Sequence, residues 1–376
     1  MQTRGERLET LLAALLQQHG LGERKEEALA CLRTLTTASL AVRPSGGRRL
    51  SSLTSDGLPF ELSLALGPGA PGGLRYAAEA GDLRAPFRER LRHGEQTTGY
   101  LLDHIGAATL RGIHQRLGDA LFPMRIRTGA EYRFGLWHGL AHRPHTPALL
   151  KVYYNLRPWE NDHAAALAAT ADALGPALAG TGFLTLGANL PAGSRPAFLC
   201  VEGGAADPPR VKLYHRCHAP VASATLADML AAYGVARHRT VFEEFHRSLA
   251  DTRDEYPARA LMLCVGIGGG QWNPDLTCYF GLNQHFHDDA SARGAIIVLL
   301  DAMGIDPLPY ARTLDTLSGG SFPMGGLRYH TMISLGLAAQ TWKINIYLKP
   351  TWASLECPAE ALRTIVPTEK YPPSAD

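Results

Sequence analysis

The sequence predicts an α/β protein in which a closed antiparallel β-barrel is surrounded by α-helices. Three observations lead to this prediction: strands come in close pairs, helices separate the pairs, and several strands carry basic residues and tyrosines opposite an apolar face. The plan of helix, strand pair and helix recurs about five times along the 376 residues. Two strands joined by a short turn must be antiparallel, which differs from the single strand-helix alternation of a doubly wound sheet.

Hydrophobic periodicity and turn residues place the elements along the chain. Helices are predicted as a pair over 5–41, and over 83–93, 98–119, 162–179, 224–234, 239–251, 288–303 and 307–317. Eleven segments are predicted as strands, of which about ten form the pairs: 60–66, 74–78, 130–140, 148–156, 183–190, 196–202, 210–216, 259–267, 276–282, 327–337 and 342–349. Since no long linker divides the chain, we predict a single domain over 1–376, with the helices of 1–41 outside the barrel and 351–376 as a C-terminal tail.

The composition argues against several classes of protein. The 37 basic and 35 acidic residues give a net charge of only +2, whereas proteins that follow a nucleic-acid strand carry a strong basic excess, so we expect no nucleic-acid partner. No apolar run is long enough for a membrane span or a signal peptide, so we expect a cytoplasmic protein without membrane association, as a monomer or homodimer. The six cysteines form no C-x-x-C pair, which indicates buried reduced thiols.

Four strands carry unusual polar faces. These faces are Lys151, Tyr153 and Asn155; Arg210, Lys212, Tyr214 and Arg216; Thr277 and Tyr279; and Lys343, Asn345, Tyr347 and Lys349. Alternation along a strand puts each set on one side of the sheet. For any one strand, a polar face turned to solvent explains the pattern. Its repetition, together with apolar opposite faces for the helices to cover, favours a barrel with a polar lumen.

Such a lumen suits a multiply charged anion that leaves a cation behind. Lysine and arginine bind phosphate oxygens, and a tyrosine ring face stabilises a nearby cation by about 0.5–2 kcal/mol. A diphosphate that departs from an allylic group needs both kinds of residue. Arg75, Lys151, Arg210 and Lys212 supply four positive charges, so we expect neither a cofactor nor a divalent metal.

Seven short motifs occur in order between about residues 55 and 350. They are Pro59-Phe-Glu-Leu-Ser, Leu74-Arg-Tyr, Lys151-Val-Tyr, Arg210-Val-Lys-Leu-Tyr, Thr277-Cys-Tyr, His330-Thr-Met-Ile-Ser and Asn345-Ile-Tyr. Together they resemble the dimethylallyltryptophan synthase family of aromatic prenyltransferases, whose fold is a ten-stranded αββα barrel (the ABBA or PT barrel). The resemblance implies a metal-independent transferase of secondary metabolism. Its substrates would be dimethylallyl diphosphate and an indole acceptor, either tryptophan or a small molecule derived from it.

The resemblance also implies a set of site residues. Glu61 would hold the indole N–H and take or share its proton, and the diphosphate would be bound by Arg75, Lys151, Arg210 and Lys212. The dimethylallyl group would be surrounded by Tyr153, Tyr214, Tyr279 and Tyr347. Thr277 and Met332 stand where the family often has a longer polar residue and a tyrosine, respectively. Both are expected to shape the prenyl pocket, and Met332 also to contact the acceptor.

Two further residues have two interpretations each. His138 lies thirteen residues before Lys151, and it would collect the proton lost when the ring regains aromaticity, since its pKa suits that task. Alternatively it is a structural histidine of a strand. Arg195 would bind the carboxylate of an amino-acid acceptor, or it is a solvated turn arginine beside Pro196.

The sequence also allows a metal site and two other functions as alternative interpretations. In His285-Phe-His-Asp-Asp, Asp288 and Asp289 are expected to cap and charge a helix rather than to bind a metal. A barrel of the same fold that prenylates a phenol, such as tyrosine or a polyphenol, would have less need of Glu61. A non-catalytic barrel that binds an anionic small molecule would explain the basic residues but not the tyrosines.

Overall fold

The centre of the molecule is a closed barrel of ten antiparallel strands. The computed structural model describes residues 2–41, 51–70, 72–129, 132, 134–179, 183–205, 207–250, 254–268, 271–320, 322 and 326–356. The strands are β1 Phe60–Leu66, β2 Leu74–Ala78, β3 Leu136–Arg143, β4 Thr146–Asn155, β5 Ser194–Gly203, β6 Arg210–Cys217, β7 Val221–Ala222, β8 Glu255–Tyr256, β9 Leu261–Gly268, β10 Gln271–Gly281, β11 His330–Leu337 and β12 Trp342–Leu348. Around the barrel they follow the order β1-β12-β11-β10-β9-β6-β5-β4-β3-β2, and β7 and β8 form a separate two-stranded sheet. The predicted fold class is confirmed.

Helices surround this barrel. They are α1 Arg4–Gln18, α2 Lys25–Leu40, α3 Phe87–His104, α4 Arg111–Leu121, α5 Met124–Arg127, α6 His163–Leu174, α7 Pro176–Ala179, α8 Ser223–Ala232, α9 Arg239–Ala250, α10 Asp289–Ala302 and α11 Leu308–Ser318. A capping box starts α1, because the Thr3 side chain accepts from the N–H of Glu6 while the Glu6 carboxylate accepts from that of Thr3. The hydroxyl of Tyr76 on β2 donates to the carbonyl of Ala28 in α2 at 2.9 Å, which ties the N-terminal helices to the barrel wall. Among the helices described, none has the length and apolar character of a membrane span.

Strand β12 shows how alternation separates two environments. Ile344 and Ile346 are fully buried in the apolar layer between barrel and helices. Asn345 and Tyr347, between and after them, line the lumen. Burial of each aliphatic side chain contributes about 1.5–3 kcal/mol, so the outer face holds the helices in place while the inner face is left to polar groups.

Two predictions about local structure are wrong. Residues 183–190 form no strand. They begin with a 3-10 turn, and Phe183 and Leu186 bury their side chains without joining the sheet. The second helical pair divides at Gly106, whose φ of 72° ends the helical path, rather than between 93 and 98. Gly94 stays inside α3 because its missing side chain lets the helix approach Leu136 closely; a Cβ there would lie 3.3 Å from Leu136.

Candidate active site in the barrel lumen

The lumen holds two adjacent cavities that share one wall. One has a volume of about 60 Å³ and the other about 160 Å³. The side chains that line both are Arg75, Lys151, Tyr153, Tyr214, Tyr279 and Tyr347. The smaller cavity is also bordered by Lys212, Asp275 and Lys343, whereas the larger reaches Glu61, Trp137 and Phe198. We call these the cationic end and the aromatic end of the lumen.

At the cationic end, three of the basic residues converge on one carboxylate. Glu202 on β5 is 3% exposed, and its oxygens lie 3.1 Å from Lys151 Nζ, 2.7 Å from Lys212 Nζ and 3.0 Å from Arg210 Nη1. Arg210 also pairs with Asp275. Burial acts to raise the pKa of Glu202, but the three cations hold it well below its usual value. Glu202 is not among the predicted site residues, although its place two residues after Cys200 puts it on the lumen face.

The other basic residues of this end have different partners. Arg75 Nη1 donates to Asn345 Oδ1 at 2.9 Å. Burial, together with the nearby cations, lowers the pKa of Lys343 to about 7. Burial also lowers the pKa of Lys151, to about 8, while Glu202 opposes the shift. The site therefore holds lysines that exchange protons near neutral pH.

Four tyrosine rings form a continuous wall between the two ends. The ring centroids are 5.8 Å apart between Tyr153 and Tyr214, 5.7 Å between Tyr214 and Tyr279, and 5.9 Å between Tyr279 and Tyr347. Burial raises the pKa of all four phenols, so they stay neutral hydrogen-bond donors. A cation released at this wall would face several ring surfaces at once.

Glu61 lies at the aromatic end and is 5% exposed. Thr331 Oγ1 donates to Glu61 Oε1 at 2.5 Å, and Oε2 has no hydrogen-bond partner among the described residues. Burial raises the pKa of Glu61 to about 7, although Thr331 and Lys349 act in the other direction. Thr331 reaches the carboxylate because the pairing of β11 with β12 shifts between His330 and Met332. Such a bulge turns a side chain towards the opposite face, and plain alternation had hidden this contact.

Aromatic side chains complete this end. Trp137 stacks on Phe134 at a centroid distance of 3.8 Å, and Phe198 lies 5.5 Å from Trp137. The Trp137 indole N–H donates to Glu79 at 3.4 Å. Arg216, on the lumen face of β6, lines the same cavity and forms no ion pair within the part of the chain that the structure describes. A largely apolar slot with a carboxylate at Glu61 and a cation at Arg216 accommodates a flat ring that carries an N–H and an anionic group.

The predicted role of His138 is wrong. Its Nε2 lies 2.9 Å from Thr98 Oγ1 and 3.2 Å from the carbonyl oxygen of Gly94, both in α3. Its neighbours Trp137 and Gly139 line the lumen, so alternation sends the imidazole to the helical layer, where burial lowers its pKa to about 3. The structural interpretation of this histidine is the right one.

The remaining sequence-predicted residues fall in different places. Thr277 borders the cationic end and Met332 the aromatic end. Arg195 is exposed at the start of β5, outside both cavities, and its cross-strand neighbour is Arg216. The structure thus brings Arg216, rather than Arg195, to the lumen.

The acidic residues before α10 have structural roles. Asp288 caps the helix, because its side chain accepts from the N–H of Ser291 at 2.8 Å, as predicted. Asp289 is the acidic residue of the first turn, as predicted; its carboxylate also accepts from the backbone N–H groups of Arg328, Tyr329 and His330 and so anchors the start of β11. Within the described ranges, no three or more His, Cys, Asp or Glu side chains are grouped to hold a metal.

The fold and the lined lumen define a class of protein, the αββα barrels that enclose their ligands. Searches of family models and of curated proteins give no match, but solved structures do match. The prenyltransferase PriB has 24% sequence identity and a TM-score of 0.75, over 93% of this chain and 96% of that one. For 5-dimethylallyltryptophan synthase from Streptomyces coelicolor the values are 22%, 0.77, 92% and 97%. For 6-dimethylallyltryptophan synthase from Micromonospora olivasterospora they are 21%, 0.74, 93% and 98%.

This chain therefore has the fold of the aromatic prenyltransferases, and the resemblance seen in its motifs is confirmed at the level of the fold. One structure of PriB contains L-tryptophan and dimethylallyl thiolodiphosphate.

Proposed function

We propose that this protein transfers a dimethylallyl group from dimethylallyl diphosphate to the indole ring of tryptophan or of a small molecule derived from it. The observation that carries the proposal is the arrangement of one lumen: a cationic end, a wall of four tyrosines and a buried carboxylate at an aromatic end. Each part matches one requirement of the reaction. The fold neighbours with tryptophan as substrate or ligand support the same choice.

The cationic end serves the donor. When the carbon–oxygen bond of the donor breaks, the diphosphate keeps the electron pair and its charge grows, so Lys151, Lys212 and Arg210 bind it more strongly in the transition state than before. The allylic cation left behind lies against the tyrosine wall. The wall also keeps water from the cation, since Tyr214 and Tyr279 are 4% and 8% exposed.

The aromatic end serves the acceptor. A ring carbon or the ring nitrogen of the indole attacks the cation, a new carbon–carbon or carbon–nitrogen bond forms accordingly, and positive charge develops on the ring nitrogen. Glu61 accepts a hydrogen bond from the ring N–H and stabilises that charge. The attacking ring atom then loses its proton and aromaticity returns. A phenol acceptor carries its developing charge on oxygen and has no N–H to pair with Glu61, so the buried carboxylate favours an indole.

The charge count of the cationic end supports a reaction without a divalent metal. Five cations surround this end, namely Arg75, Lys151, Arg210, Lys212 and Lys343, against the two carboxylates Glu202 and Asp275. The net positive charge that remains is comparable with the charge of a diphosphate, which is the neutralising task a metal ion performs in other enzymes.

The test is incubation of the protein with dimethylallyl diphosphate and tryptophan in excess EDTA, followed by mass spectrometry of the amino acid. We expect a mass gain of one C5H8 unit, unchanged by EDTA. Tyrosine and a polyphenol are run in parallel as alternative acceptors. Loss of turnover in EDTA that magnesium restores would contradict metal independence. Binding of the donor without any product from these acceptors would favour a non-catalytic barrel.

A further inference from the structure

A buried carboxylate at the centre of an anion-binding site is unexpected. Glu202 would repel a diphosphate, and removing a carboxylate from water costs free energy that only close partners recover. Its three ion pairs, at 2.7–3.1 Å, provide those partners. Because all three cations point at one carboxylate, their charged groups are already gathered within a few ångströms before any ligand arrives.

Burial makes the lysines of this site prone to lose their protons. Lys343 has no acidic partner among the described residues, and its pKa falls to about 7. Lys151, which is paired with Glu202, retains a pKa of about 8 in spite of deep burial. The charged and titratable groups around Lys151 come from six strands. They are Arg75, Cys200, Glu202, Arg210, Lys212, Tyr153, Tyr214, Asp275 and Lys343. Of these, Glu202 is the acid in direct contact with Lys151.

We propose that Glu202 is a positioning residue of the donor site, which keeps Lys151, Lys212 and Arg210 converged, and Lys151 charged, before the diphosphate binds. The inference rests on the proposed function, since it takes a diphosphate as the anion of this site. The same carboxylate weakens the hold on the diphosphate product, because it shares those cations with it. The three cations can thus stabilise the diphosphate as the carbon–oxygen bond breaks, while Glu202 limits how tightly they hold the diphosphate product.

Removal of the Glu202 carboxylate should therefore have opposite effects on diphosphate affinity below and above neutral pH. In Glu202→Gln at low pH, where Lys151 is charged in any case, inorganic diphosphate should bind more tightly than to the wild type. At high pH Lys151 of the variant is neutral, so diphosphate should bind more weakly than to the wild type. The pH at which affinity declines should move down by about one unit or more, as expected for loss of an opposite charge in direct contact.

The experiment measures the affinity of inorganic diphosphate by calorimetry across about pH 6–9, a range that brackets the pKa values of about 7 and about 8 of Lys343 and Lys151. Glu202→Asp keeps the charge and should stay close to the wild-type curve. Asp275→Asn removes the other carboxylate of the site, which pairs with Arg210. In this variant the affinity for diphosphate should decline at the same pH as in the wild type. The inference would be overturned if diphosphate affinity declined at the same pH in Glu202→Gln as in the wild type. It would also be overturned if Asp275→Asn shifted that pH by as much as Glu202→Gln does.

Two further outcomes are distinguishable. If the wild-type protein binds no inorganic diphosphate at any pH, the proposed function itself is wrong. If Glu202→Gln does not fold, Lys212→Met is compared with the double variant Glu202→Gln/Lys212→Met, in which the ion pair is removed as a unit and no new buried charge is left over from it. The decline set by Lys151 should then occur at lower pH in the double variant, and coincidence of the two curves would reject the role of Glu202.

Discussion

The two ends of the lumen treat charge in opposite ways. At the cationic end most charged groups have a close partner among the described residues, since Glu202 holds three cations and Arg75 is fixed by Asn345. At the aromatic end Glu61 is buried with one neutral hydrogen-bond donor, and its pKa rises to about 7. One end is thus organised around charges that exist before the reaction. The aromatic end stabilises a charge that appears only during the reaction. Such an interaction lowers the activation barrier rather than strengthening substrate binding.

The largest effect is expected from Glu61→Gln, which keeps the shape of the side chain but removes its charge. Turnover of an indole acceptor should fall by roughly 10²–10⁴, while the affinity for the donor should scarcely change. Since a pKa of about 7 leaves the carboxyl protonated below that pH, wild-type kcat/KM should rise as pH increases through 7. This acid limb should be absent in the variant. Steady-state kinetics as a function of pH, with saturating donor, provide the measurement.

Glu79 offers a matched control for that experiment. Burial also raises its pKa to about 7, but Glu79 does not line the cavity; its carboxylate accepts from Ser51, pairs with Arg90 and accepts the Trp137 indole N–H at 3.4 Å, a contact that the amide oxygen of Gln can keep. Glu79→Gln should retain turnover close to that of the wild type and keep the acid limb. Near wild-type turnover of tryptophan by Glu61→Gln would refute the role of Glu61 and remove most of the reason to prefer an indole over a phenol.

At the cationic end, Lys212→Ala removes one contact that strengthens as the leaving group gains charge. We expect kcat/KM for the donor to fall by about 10²–10³, as when one transition-state donor is deleted elsewhere. Lys25→Ala, in which an exposed lysine of α2 is removed, controls for the change in net charge. A Lys212→Ala enzyme within about threefold of the wild type would exclude Lys212 from the transition-state contacts.

The smallest effect concerns the anionic group of the acceptor. Both arginines are exposed, but Arg216 lines the aromatic end whereas Arg195 lies outside both cavities. Arg216→Gln should therefore reduce the preference for tryptophan over tryptamine by about tenfold, the value of one hydrogen bond between charged groups. Arg195→Gln should leave that preference intact. The opposite pattern would return the carboxylate contact to Arg195, as the sequence first suggested.

The sequence was sufficient for the fold and for most of the lumen, because alternation along a strand can be read directly. Tyr153, Lys212 and Tyr347 were assigned to the lumen in this way, and the structure places them there. Features that depend on register were not accessible. The bulge that brings Thr331 to Glu61 requires knowledge of how two strands pair.

Errors arose where spacing alone was used. The segment from His138 to Lys151, thirteen positions on, spans a hairpin, and in the observed pairing Gly139, not His138, lies opposite Lys151. Glu202 was missed for another reason: an acid within a basic cluster contradicts the simple expectation for an anion site. Its role becomes apparent only when the three distances to its cations are known.

The closure of the barrel between β1 and β12 bears on how the chain is made. Glu61 and Thr331 are 270 residues apart in sequence, and contacts between such distant segments are slow to form. During synthesis β1 leaves the ribosome long before β12, so Leu62 and Leu64 belong to a strand edge that awaits its partner. Unpaired edges of this kind promote aggregation of nascent chains. Expression at lower temperature or with added chaperones should therefore raise the yield of folded protein.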